Sequence, residues 1–238
     1  MLHHDYRGNT AQRRSAGRFR YILLLCLLCT CVFPALHAQP SVADGRQEFI
    51  IQPEQSVLTI RVGRAGLLSG FGHDHLISGH AISGTLTLVA PPAESIAQLV
   101  IPVQQLAVDD PVELQNAGFR SIPDASARSS TRDNMLRPEV LDGENWPQII
   151  VDAAYAGELT GTHQFNLTLT FKGMTIPLQL PATVTRGDTG LQIVAQFSLN
   201  HRQLGLRPYS ALGGVIRVAE ALEIELHLLA VAKGELDE

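Results

Sequence analysis

Between His163 and Phe171 the chain alternates without a break: His163, Phe165, Leu167, Leu169 and Phe171 fall on one side, Gln164, Asn166, Thr168 and Thr170 on the other. A two-residue period belongs to a β-strand with one dry and one wet face, because a helix would scatter the same residues around its axis. The pattern recurs over residues 191–199 and again where Leu222, Ile224, Leu226 and Leu228 oppose Glu223, Glu225 and His227. Further strands are expected over residues 48–52, 57–62, 84–89, 99–106, 148–153 and 175–184. Their links are short, as at Lys172-Gly173 and across 186–190. Short links join antiparallel neighbours, since a parallel crossover needs a dozen or more residues. Strands with one apolar face each must close into a barrel or fold over as a sandwich. The chain is therefore expected to be all-β and antiparallel, with about eight strands.

One stretch breaks the rule. From Pro111 to Asp142 the alternation stops, and residues 124–137 read as a short helix ending before Pro138. Met135, Leu136, Val140 and Leu141 give this excursion an apolar side with which to cover a barrel opening. Trp146, the single tryptophan, precedes Pro147 and a strand, which suits a core or corner anchor.

The first residues follow a different logic. Arg13, Arg14, Arg18 and Arg20 precede an apolar run over 21–33, which Pro34 breaks and which ends at the small residue Ala38. That is the layout of a secretory signal peptide, with an apolar run short for a membrane span. The expected organisation is a signal peptide over 1–38, a linker over 39–47 and one domain over 48–238. All three cysteines, Cys26, Cys29 and Cys31, fall in the leader. Beyond it the chain has no disulfide, no thiol nucleophile and no thiolate metal ligand. The leader also holds five arginines and one aspartate, so the −5 of the whole chain becomes −9 beyond it. With only Lys172 and Lys233 as lysines, it offers no electrostatic footprint for nucleic acid.

Polar chemistry concentrates in Gly72-His73-Asp74-His75 and nearby His80. In an extended segment His73 and His75 point the same way, with Asp74 opposite. Three readings stay open. The motif ties a turn, with Asp74 orienting one imidazole. Alternatively it starts a metal or haem site, with a third ligand from His80, His201 or Asp74. Or the imidazoles touch a ligand without a metal. A second cluster, residues 198–212, places His201, Arg207 and Tyr209 after a strand, as a loop capping a barrel end or as polar groups at a ligand entrance. The pairs Asp109-Asp110 and Glu223/Glu225 read as solvated surface acids. No nucleophile elbow, no Ser-x-x-Lys and no phosphate-cradling glycine loop is present. No enzyme activity is expected, and no cofactor is required.

In order along the chain, several segments resemble one family. They are Ser56-Val57-Leu58-Thr59-Ile60-Arg61-Val62, Ile82-Ser83-Gly84-Thr85-Leu86, the Arg132-Asp133-Asn134-Met135-Leu136 to Trp146-Pro147-Gln148-Ile149 block, and Leu167-Thr168-Leu169-Thr170-Phe171-Lys172-Gly173-Met174-Thr175-Ile176-Pro177-Leu178. Together they are similar to the YceI-like proteins, lipocalin-like barrels of the bacterial periplasm. The sequence departs from the family at Arg64-Ala65-Gly66 and at Gly72-His73-Asp74-His75, as a divergent branch. The resemblance implies a periplasmic antiparallel barrel that holds an isoprenoid-type lipid, such as a polyprenyl or quinone tail, in an apolar cavity. On strand parity the cavity is expected to be lined by Ile60, Leu86, Phe165, Leu167, Leu169, Ile176, Leu178, Ile193 and Phe197. His73, His75, Arg207 and Tyr209 would meet a head group at its mouth. The resemblance also implies a membrane b-type cytochrome as candidate partner, and a second copy of the chain is another.

Overall fold

The computed structural model describes residues 45–66, 73–155, 162–188, 190–211 and 216–235. The expected signal peptide and most of the expected linker lie outside these residues, as do Gly72 and Leu212 of the two polar clusters. The strands are β1 (Gln47–Ile51), β2 (Val57–Ala65), β3 (His75–Gly79), β4 (Ser83–Leu88), β5 (Ile96–Pro102), β6 (Ala107–Val108), β7 (Gln148–Tyr155), β8 (His163–Phe171), β9 (Met174–Arg186), β10 (Gly190–Asn200), β11 (Ser210–Ala211) and β12 (Ile216–Ala232). All pairings are antiparallel, and β1, β4, β5, β7, β8, β9, β10 and β12 form a ring closed by β1 against β12. The fold is a closed eight-stranded antiparallel barrel, in which β9 and β10 ladder only between Thr183–Arg186 and Leu191–Val194.

Three further strands continue the ring upward. β2 pairs with β12 and β3, and β3 pairs with β6. In each case a short interruption separates upper from lower segment: a 3-10 turn at Pro53–Gln55 between β1 and β2, residues 80–82 between β3 and β4, and a 3-10 turn at Val103–Gln105 between β5 and β6. Thus β1/β2, β3/β4 and β5/β6 are three strands that bend at one level. The expected strand over 99–106 runs into this bend, since Val103 turns inward and is buried.

Beyond β6 two helices replace sheet. Helix α1 (Pro111–Asn116) starts where Asp110 caps the N–H groups of Val112 and Glu113 at 2.9 and 3.1 Å, with Pro111 in the first turn. The longer α2 (Ala125–Leu136) is capped by Asp124, whose side chain accepts from the Ala127 N–H at 2.8 Å. It stops at Arg137, held extended by the proline that follows. Helix α2 packs against β6, with Met135 in the core beside Leu106 and Val108. No helix among the described residues is long and apolar enough to cross a membrane.

Hairpin β8–β9 turns on Lys172 and Gly173, both at positive φ (49° and 69°). This is the two-residue turn whose twist matches that of its flanking strands. Its register pairs Leu167 with Leu178 and Leu169 with Ile176, so the inward set of one strand faces that of the next.

Candidate functional site

The inward faces do not meet. Between them lies a cavity of about 630 Å³, within the range of small-molecule sites. Its wall is mostly aliphatic and aromatic. Ile60, Leu86, Phe165, Leu167, Leu169, Leu178, Ile193 and Phe197 line it, together with His75, Arg207 and Tyr209. Two expected contributors do not. Ile176 shares the inward parity of β9 but does not line the cavity, although Leu169 opposite it and Phe171 beyond it do. His73 instead lines a separate polar recess of about 280 Å³ with Arg61, Arg64, Asp74 and residues 118–121.

Polar groups gather at the two ends of the cavity. At one end Tyr155 and His163, both buried, pair through the hydroxyl and Nδ1 at 3.3 Å. Arg186 lies nearby in the sheet ladder and sits over the Phe49 ring, 5.7 Å from its centroid. At the other end are His75, the loop after β10 and helix α2. The loop folds tightly: the N–H of Leu206 donates to the His201 carbonyl at 2.8 Å, and the Gln203 N–H to the Asn200 side chain at 3.0 Å. It presents His201, Leu204, Leu206, Arg207 and Tyr209 to the cavity, while α2 presents Thr131, Asn134 and Met135.

The histidine motif divides in a way that its spacing alone does not settle. His73 and His75 do point the same way, with ring centroids 4.5 Å apart in an edge-to-face arrangement. Asp74 turns aside and accepts from the Arg64 backbone N–H at 2.9 Å, so it orients neither ring. That role belongs to Asp109. The His75 Nδ1–H donates to Asp109 Oδ2 at 2.7 Å, and the Leu76 N–H donates to Oδ1 at 2.8 Å. Asp109 is fully buried and takes a positive φ of 53°, which places its carboxylate under the start of β3. Asp109 and Asp110 are thus not a pair of solvated acids: one is the core partner of His75, the other a helix cap.

His73 Nε2 lies 3.9 Å from the same Asp109 oxygen, too far for a hydrogen bond, and is buried without a partner. Burial lowers the His73 pKa, and His75 adds to the effect, outweighing the attraction of Asp109. The ring therefore favours its neutral form. Of the other histidines weighed as ligands, neither joins this group. His80 donates through Nε2 to Glu113 at 2.5 Å on the surface, and His201 sits against the Glu220 carbonyl at 3.0 Å. The third donor is Asp109, which lies within 4.8 Å of both imidazoles, each counted by one ligand atom.

Sequence reasoning missed Asp109, Tyr155 and Arg186. The Asp-Pro pair at 110–111 is a helix-start signal that would have set Asp109 apart from its neighbour. The inward turn of Asp109, however, depends on its pairing beside β3, which no local pattern encodes.

The known proteins that compare with this chain agree with the geometry. The crystal structure of BcnA from Burkholderia cenocepacia superposes with a TM-score of 0.55 at 14% identity, covering 75% of this chain and 98% of that one. A polyisoprenoid binding domain from Saccharophagus degradans, implicated in plant cell wall breakdown, superposes at 0.51 with 12% identity, covering 78% and 99%. At such identities the likeness is one of fold. Among curated proteins none matches. The model of the YceI-like domain matches residues 49–230, which is nearly the whole of the described barrel, and the chain belongs to that family.

Proposed function

We propose that the protein is a non-catalytic binding or carrier protein for an isoprenoid-type lipid, with a polyprenyl or quinone tail lying in the barrel and the polar end near Arg207, Tyr209 and His75. The observation that carries this reading is the cavity of about 630 Å³ with its almost wholly apolar wall. At roughly 25 cal/mol per Å² of apolar surface removed from water, a tail burying a few hundred Å² needs few polar contacts to bind. The name of the Saccharophagus degradans domain, which binds polyisoprenoid, supports the same ligand class. The basic, then apolar, leader supports export to the periplasm. A quinone ligand would suit a membrane b-type cytochrome as partner.

Native mass spectrometry of the protein taken from its own compartment, followed by organic extraction, tests the proposal. A bound mass that extracts as a prenyl lipid is expected. Protein that is free of lipid and does not take up a polyprenyl probe would overturn it.

A further inference from the structure

The His73, His75 and Asp109 group does more than a structural tie requires. The bonds from His75 and Leu76 to Asp109 already satisfy the carboxylate and fix the ring. His73 adds nothing to that tie. Its Nε2 is shielded from water and faces the same carboxylate oxygen at 3.9 Å with no hydrogen-bond partner among the described residues. A buried nitrogen without a hydrogen-bond partner is unfavourable, so this imidazole is held at a loss that the tie does not explain.

A cation removes the loss. Bonds of about 2.0–2.1 Å at tetrahedral angles put neighbouring donor atoms about 3.4 Å apart. The two separations from Asp109 Oδ2, 2.7 Å to His75 Nδ1 and 3.9 Å to His73 Nε2, bracket that value. All three donors lie within 4.8 Å of one another. We propose that His73, His75 and Asp109 form a binding site for a divalent first-row transition metal ion such as zinc, set in the wall between the apolar cavity and the polar recess. Two imidazoles and a carboxylate are the donor set that such ions accept, and they leave one position for water or another polar group. On binding, the proton that His75 Nδ1 shares with Asp109 moves to the ring's other nitrogen, and the ion takes its place.

Three arginines line the recess, Arg61, Arg64 and Arg120, and the first two are engaged elsewhere. Arg61 donates to the Ala117 carbonyl at 2.9 Å and lies over the Phe119 ring, and Arg64 Nε is 3.7 Å from Asp74. Their charge favours an anionic group in the remaining position.

His75 is shared with the cavity wall, but a metal titration of lipid-free protein reads the metal site alone, whether or not the cavity takes a lipid. Tag-free protein is stripped with a chelator, then titrated with Zn²⁺ by calorimetry against a competing chelator. One equivalent is expected to bind. His73→Ala, which breaks no hydrogen bond, should keep the melting profile and lose more than about a hundredfold in zinc affinity, beyond what the loss of an outer partner causes. His80→Ala should bind as the parent does. Absence of a tight equivalent in the parent, or equal affinity in a folded His73→Ala protein, would overturn the site. So would an equal loss in His80→Ala.

Discussion

The indole of Trp146 lies against Gly173, so close that a Cβ added to the glycine would fall 2.6 Å from the ring. Gly173 also holds a φ of 69°, which side-chain-bearing residues rarely adopt. Both effects act on Gly173→Val, which is expected to lose about 2–4 kcal/mol of stability. Denaturant unfolding would measure it, and the lone tryptophan would report the local change directly by fluorescence.

Leu167 and Leu178 face each other across the β8–β9 ladder and both line the cavity. Leu178→Trp adds bulk to empty space rather than to a filled core, so the usual overpacking cost of about 1–3 kcal/mol should be largely avoided. A fluorescent polyprenyl probe is expected to bind at least about tenfold more weakly, a change of roughly 1.4 kcal/mol. An unchanged affinity would place the probe outside the barrel.

Arg132 on α2 donates to the Gln104 carbonyl at 2.6 Å, at the bend between β5 and β6. Arg132→Ala should cost about 0.5–1.5 kcal/mol. It should also speed hydrogen exchange along α2 while leaving β8 and β9 protected, a contrast that exchange mass spectrometry would resolve.

Glu225 accepts hydrogen bonds from His227 at 2.8 Å and Gln196 at 2.9 Å, and these hold its carboxyl below the usual range. A depressed folded pKa gives stability that is complete above the unfolded value, about 4.3, and that disappears as pH falls through the folded value. The pair is half exposed, at 46% and 44%, so solvent screening leaves well under about 1 kcal/mol. Glu225→Gln should flatten this small acid-side slope and leave stability near pH 7 within that margin, as melting temperatures across the range would show.

What the sequence made legible was governed by parity. β8 was bounded as observed, Gln148 and Thr175 marked strand starts to within a residue, and Pro138 marked the end of α2. Hidden parts were those set by pairing between distant segments. β3 carries His75, Leu76, Ile77, Ser78 and Gly79, with burial on both faces, so no alternation announces it. Asp109 gains its meaning only when β6 is laid beside β3. The split of His73 from His75 into different cavities likewise follows from the way β3 begins at His75 and leaves His73 just outside the sheet.

The bend shared by β1/β2, β3/β4 and β5/β6 has a kinetic consequence. Below it β4, β5, β7 and β8 are each zipped to two neighbours, and parting them would break ladder hydrogen bonds together. Above it β6 has a strand on one side only and α2 on the other. Parting that seam breaks packing at Met135 and the Arg132 contact, but no ladder. The β6–α2 seam can therefore open without unzipping a ladder, and changes at Met135 or Arg132 should alter its opening rate while the barrel stays closed.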